Sequence, residues 1–487
     1  MNAPEKINVD QDAISEALMK TLEAQRTDYL AEGHVSVEKR IDRMQRGMNS
    51  VSKHQDNLVE ALNIDFTCRP RQLSMLTDVA ASIMPFKSGI KHVSKWMKPE
   101  KRKSMFPLGL LGARSWIEFQ PLGVVGVISP WNFPANLTFA PIADILAAGN
   151  RVMIKPSEFT PAVSEVMAEI VADAWDEKEV SIFTGGPEVG AAFSSLPFDH
   201  MLFTGATSVA RHIMAAAAKN LVPVTLELGG KSPVLISRSA DLKQAASRIM
   251  LGKTMNAGQI CLAPDYLMVP EEKLDEIVQE IQNAVAEMYP KLLDNPEYTS
   301  MVNQRHFSRL QENLTDARDK GADIVECNPG NENFAVQQGT YKIAPTIVKN
   351  ATDDMRIMQE EIFGPLLPIR TYKDFNEAID YVNAQPRPLA AYYFGQDSKE
   401  ERAVLERTTS GGVCLNDVIM HIMQEDLPFG GVGPAGMGAY HGYDGFKTFS
   451  HAKAIFKQAK VNVAKLGGML PPYNDTTEKT IKMQTKI

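Results

Sequence analysis

The chain has 487 residues, about three structural units at roughly 150 residues each. With 44% hydrophobic and 23% charged residues it has the composition of a soluble globular protein, and 32 glycines with 29 prolines are too few for a collagenous or low-complexity chain. A net charge of −8 excludes a nucleic-acid partner held by bulk electrostatics, and four cysteines cannot build a disulfide scaffold. The sparse cysteines favour a reducing compartment. The first thirty residues lack the apolar core of a secretory leader, and no apolar run reaches the roughly 18 residues of a membrane span. A cytoplasmic location without membrane attachment is therefore expected.

The first hundred residues read as helical, with Ile14, Leu18 and Leu22 at four-residue spacing, then Ile41, Met44 and Met48. Lys101-Arg102-Lys103 opens a Gly/Pro-punctuated stretch to Gly112, read as a solvated loop between units in preference to an anion site. Residues 124–128 and 151–155 are β-branched runs of the kind that form buried parallel strands. Thr160-Pro161 predicts an N-cap with proline at the first helical position, and Val163, Met167, Ile170 and Ala174 line the face that follows. Strands at 180–183, 201–203 and 222–228 alternate with helices, including one over 209–219. Such alternation implies βαβ units and a parallel sheet that binds ligands beyond the carboxyl ends of its strands. A second α/β region follows Gly230, with strands at 234–237, 266–269, 366–369, 390–394 and 413–415, a helix from Asp241, and another through Ile277, Ile281 and Val285. A join near 228 predicts a cleft between two lobes.

Two phosphate-loop patterns fail on context. Gly431-Val-Gly-Pro-Ala-Gly436 fits G-x-G-x-x-G but follows Leu427-Pro-Phe429 rather than a buried strand, and Gly230-Lys231-Ser232 lacks the first Walker glycine, since position 225 is Thr225. Among the cysteines, Cys414 lies in an apolar strand, Cys327 ends a strand-like run and Cys68 sits among polar residues. Cys261 stands apart. It is on a loop between a helix and a strand, where Gly258 lets backbone approach a ligand and a thiol can be exposed and activated. A nucleophilic thiol needs a base and oxyanion donors. Glu227, at a strand's carboxyl end before Gly229-Gly230, is a candidate base, although a surface glutamate remains the plain alternative. Asn132, in Pro130-Trp131-Asn132-Phe133-Pro134, is either a turn former or an oxyanion donor.

The segments PWNFP (130–134), LELGGKSP (226–233), GQICLAPDY (258–266) and EEIFGP (360–365) resemble the aldehyde dehydrogenase superfamily, in the right order and over most of the chain. APDY and the run 428–442 resemble its class-three branch, near which the coniferyl aldehyde dehydrogenases stand. The resemblance implies the α/β fold of that family: an NAD-binding, Rossmann-like domain at 1–99 and 125–226, a catalytic α/β domain at 227–440, and a small oligomerisation element at 100–124 and 450–463. It makes Cys261 the nucleophile, Glu227 the general base and Asn132 the oxyanion donor. It places Lys155 and Glu158 at the adenosine ribose, Gly205 under the pyrophosphate, and Glu361 and Phe363 at the nicotinamide ribose and ring, and counts Trp131 among the cofactor-binding residues. This chain departs from the family pattern at Ala210, where a second glycine is usual, which bears on helix–cofactor packing. The implied activity is oxidation of an aromatic, coniferyl-aldehyde-like substrate by a homodimer, with NAD preferred because Glu158 would repel the phosphate of NADP, and NADP still admitted. No metal is implied. A medium-chain aliphatic aldehyde dehydrogenase, a coenzyme-A-acylating enzyme and an inactive crystallin-like protein remain alternatives. The intact set of Asn132, Glu227 and Cys261 argues against the last of these, and Glu227 against acylation of coenzyme A.

Overall fold

A computed structural model describes residues 11–486. The first ten residues, which begin the stretch read as lacking a leader and open the predicted first domain, lie outside the described residues, as does Ile487.

The β-branched runs pair as buried parallel strands because both of their faces are covered by helices. Six strands form the first sheet in the spatial order Gly436–Met437, Val224–Glu227, His200–Thr204, Val124–Ile128, Arg151–Lys155 and Val180–Ile182. All pair in parallel except Gly436–Met437, an antiparallel edge supplied from the far end of the chain. The second sheet has seven strands in the order Asp323–Glu326, Thr346–Lys349, Leu366–Tyr372, Tyr266–Pro270, Pro233–Ile236, Ala390–Phe394 and Gly412–Leu415. It too is parallel apart from its first strand. The chain passes from one sheet to the other between Glu227 and Pro233. A third, antiparallel sheet joins Glu100–Arg102, Arg114–Pro121 and Ser450–Lys457. The basic run at 101–103 thus enters an exposed strand rather than a plain loop.

Helix Gln11–Glu32 buries Leu18 and Leu22 against the first sheet, and Val37–Lys53 buries Met44 and Val51. The predicted start at Thr160-Pro161 is right in position and differs in chemistry. Helix Pro161–Ala174 begins there, but the Thr160 hydroxyl caps nothing. The carboxylate of Asp65 instead accepts the N–H groups of Ala162 (3.2 Å) and Val163 (2.9 Å). An ionised acceptor at a helix N-terminus makes a stronger bond than a hydroxyl.

Candidate active site

The carboxyl ends of the two parallel sheets and the loops that leave them carry the reactive residues. Glu227 ends its strand and is 3% exposed, and neither of its carboxyl oxygens has a hydrogen-bond partner among the described residues. Burial raises its pKa well above the ordinary carboxylate value. The bland alternative of a surface glutamate does not hold.

Asn132 follows strand Val124–Ile128 and is buried. Its Nδ2 donates to the carbonyl of Gln259 at 3.1 Å, two residues before Cys261. One amide hydrogen is thereby fixed and the other is left to donate. Gln259 is itself clamped, donating to the carbonyls of Asn256 (2.8 Å) and Ser300 (3.1 Å) and accepting from the Val302 N–H (2.9 Å).

The loop ahead of Cys261 is bent by positive φ at Asn256 (49°), Ala257 (52°) and Gly258 (74°). A Cβ at 258 would collide with the carbonyl of Gly364. Gly258 thus lets another backbone segment, that of Gly364, approach closely. Cys261 is half-buried and free. Burial pushes the pKa of its thiol up, and the nearby carboxylates of Glu361 and Glu227 push it further, while the backbone N–H groups of Cys261 and Leu262 pull it down. Cys68 directs its Sγ to the carbonyls of Pro296 (3.8 Å) and Tyr298 (3.5 Å), Cys327 is buried, and Cys414 has its Sγ 3.1 Å from His421 Nδ1.

Glu361 lies against Gly229, where any Cβ would collide with its carboxylate; here the glycine makes room for a side chain. Its Oε1 is buried with no partner among the described residues, and burial and the charge of Asp265 raise its pKa to about 8. Phe363, at φ 46°, sets its ring edge-on to Trp131 with centroids 5.2 Å apart. Lys155 is buried, with Nζ 3.6 Å from the half-exposed carboxylate of Glu158. Gly205 donates its N–H to the Glu227 carbonyl at 3.0 Å just before helix Thr207–Lys219, whose first turn no side chain caps. Such an end binds anions. The methyl of Ala210 is accommodated in that helix at 2% exposure.

Several site residues escaped the sequence reading. His306 packs its ring 4.8 Å from Trp131, and burial lowers its pKa to about 4, keeping it neutral. Arg309, one turn on, donates to the carbonyls of Glu361 (3.2 Å) and Ile362 (2.6 Å) and so holds the EEIFGP loop. Neither lies in a recognisable motif. Lys231 and Asp265 do, and were legible as positions but not as roles. Lys231 pairs with Asp265 and donates to the carbonyls of Ile357 (2.7 Å) and Glu360 (3.0 Å), while Asp265 accepts the Ile362 N–H (2.9 Å). This lysine, which mimics a Walker residue in sequence, ties LELGGKSP, APDY and EEIFGP together.

Two mostly parallel sheets, with a free thiol, a buried glutamate and a tethered amide carried at strand ends and on loops, define an α/β protein of the dehydrogenase class. The chain belongs to the aldehyde dehydrogenase family, whose model matches residues 6–455. It is 56% identical to a probable coniferyl aldehyde dehydrogenase of Caulobacter vibrioides over 487 residues, the full length of both chains. It is 53% identical over 461 residues to the coniferyl aldehyde dehydrogenase of a Pseudomonas species, covering 95% of each. Among solved structures, the substrate-bound AldH of Staphylococcus aureus superposes with a TM-score of 0.89 at 34% identity, covering 96% of this chain and 99% of that one. The protein is thus an NAD(P)-dependent aldehyde dehydrogenase, and none of its described helices is long and apolar enough to cross a membrane.

Proposed function

We propose that the protein oxidises an aromatic, coniferaldehyde-like aldehyde to the acid with NAD, through a thioester on Cys261. The observation that carries this reading is the convergence of the Cys261 thiol, the orphaned carboxyl of Glu227 and the tethered amide of Asn132. Glu227 has the raised basicity to take a proton from the thiol or from water. The sulfur adds to the aldehyde carbon, and the carbonyl oxygen becomes an oxyanion that accepts from the free Asn132 N–H and the Cys261 backbone N–H. NAD, when bound, supplies the acceptor for the hydride of that carbon. Glu227 then deprotonates the water that hydrolyses the thioester, which favours the acid over acyl transfer to coenzyme A.

The coenzyme residues fit the group. The uncapped helix after Gly205 suits the pyrophosphate, Lys155 and Glu158 suit the adenosine ribose hydroxyls, and the unpartnered Oε1 of Glu361 suits the nicotinamide ribose beside the rings of Trp131 and Phe363. A carboxylate at Glu158 accepts from a 2′-hydroxyl and repels a 2′-phosphate, which supports NAD over NADP. The names of the two relatives above support the aromatic substrate. We read the enzyme as a cytoplasmic homodimer assembled through the three-stranded sheet; the four free cysteines support the reducing compartment.

A panel of coniferaldehyde and hexanal with each coenzyme, followed by reduced-nicotinamide absorbance, tests this. The expected result is a higher kcat/KM for coniferaldehyde and for NAD. Preference for hexanal returns the medium-chain alternative, and a strong NADP preference overturns the argument from Glu158. Cys261→Ser should abolish NADH formation while still binding NAD; turnover by that variant removes Cys261 as nucleophile.

A further inference from the structure

We infer that Arg69, paired with Asp78, is a positioning residue for the Asn132 amide; this rests on the reading of Asn132 as the oxyanion donor. Arg69 lies just beyond helix Gln55–Asp65 and 63 positions before Asn132 in sequence, with a fully buried side chain. Its Nη1 donates to the Asn132 carbonyl at 2.9 Å. Its Nη2 donates to Asp78 Oδ2 at 2.5 Å and Thr77 Oγ1 at 3.2 Å. The guanidinium lies over the rings of Phe66 (4.7 Å) and Phe133 (5.1 Å), which restrain it further.

Asp78 completes the brace. Its other oxygen accepts the backbone N–H groups of Ala135 (3.2 Å) and Asn136 (3.5 Å), at the start of helix Asn136–Ala147. The two charges thus grip the PWNFP loop on either side, one by its carbonyl and the other by the N–H groups that follow. Asp78 reaches this place from a π-helical turn, Met75–Ala80, inserted between Arg71–Ser74 and Ala81–Trp96. Such wide turns recur where a helix must deliver a side chain to a functional position.

Stability alone does not account for the pair. A fully buried ion pair contributes little net stability, and apolar residues of similar volume often replace it without loss. A planar fork that fixes a carbonyl and a carboxylate at once contributes geometry instead. The only other side chain on the Asn132 carbonyl among the described residues is Asn256, through Nδ2 at 3.1 Å. Without Arg69 the loop is held there by one neutral bond, and displacing a catalytic group by about 1 Å can cost on the order of 100-fold in rate.

The test is a double-mutant cycle in the full-length enzyme with coniferaldehyde and hexanal as probes. Replacing the pair together, Arg69→Met with Asp78→Leu, avoids stranding a buried charge. We expect kcat to fall about 10- to 100-fold with KM for NAD unchanged, and Arg69→Lys, which keeps the charge but not the fork, to restore it partly. In an Asn132→Ala background the same replacement should lower kcat less than about 2-fold further, while shifting the thermal midpoint as much as in the wild type. A full further loss in that background, or an unchanged kcat in the wild-type background, overturns the proposal alone. Wild-type kcat in Asn132→Ala itself overturns the oxyanion reading and this inference with it. Should the paired replacement not fold, the cycle of Arg69→Lys with Asn132→Ala reads the same coupling.

Discussion

Glu227, the proposed base, has an environment from which a pH dependence can be argued. Both oxygens are buried without partners, and burial alone raises its pKa. A raised carboxyl reaches its basic form only at a higher pH than an ordinary carboxylate, so kcat limited by thioester hydrolysis should climb with pH. Glu227→Gln keeps the shape and removes the base. Positioned bases contribute about 10²- to 10⁴-fold, so the steady-state rate of that variant should fall by that order and lose its rise with pH. A burst of NADH of about one per site should survive, because hydride transfer precedes hydrolysis. Stopped-flow absorbance over a pH series reads both quantities, and a variant with neither burst nor turnover would place Glu227 in thiol activation instead.

The elements show why part of this site was legible and part was not. Glu227, Cys261 and Asn132 sit in compact segments whose local pattern, a strand end followed by glycines or a turn after a buried run, survives in one dimension. Arg69 has no such context, because its partners are a carbonyl 63 residues away and a carboxylate on a π-helical turn. The cap of helix Pro161–Ala174 is hidden for the same reason: Asp65 supplies it from 97 residues upstream, while Thr160 occupies the expected position idly.

The strand pair His200–Thr204 and Val224–Glu227 carries a further polar tie of this kind. His200 Nε2 lies 2.9 Å from Thr225 Oγ1, and burial lowers the imidazole pKa to about 4. A histidine depressed from 6.5 contributes stability that is present above pH 6.5 and lost as pH falls toward 4. At pH 5 the loss is about 2 kcal/mol, from the linkage between those two values. His200→Gln keeps a polar partner for Thr225 and cannot titrate. Its stability relative to the wild type should therefore improve by about that amount between pH 7.5 and pH 5. Chemical unfolding at the two pH values measures the difference, and a pH-independent difference would show that His200 does not titrate with folding.

At the scale of the whole molecule, the third sheet is the part that a single chain leaves unfinished. Strand Ser450–Lys457 pairs with Arg114–Pro121 on one side and presents its other edge to no described strand. Lys453 and Lys457 put charge on this edge, as natural proteins do on open strands, without covering it. Here Phe456 is 50% exposed on that strand, with Phe106 and Leu110 exposed at 75% and 80% in the adjoining loop. Apolar surface grouped at a sheet edge is what a self-complementary dimer buries, and in a two-fold interface each residue counts twice. Fully burying a phenylalanine is worth about 1.5–3 kcal/mol; Phe456 is already half-buried, so its two copies together add about that amount, before any charge is introduced. Phe456→Asp should therefore weaken self-association by at least about 10-fold. Light scattering behind size exclusion should find the wild type at twice 53.8 kDa and the variant shifting to the monomer on dilution. Because residue 456 lies on the third sheet and Cys261 on the loop before strand Tyr266–Pro270, the monomer should still acylate, and an unshifted mass would move the interface off this edge.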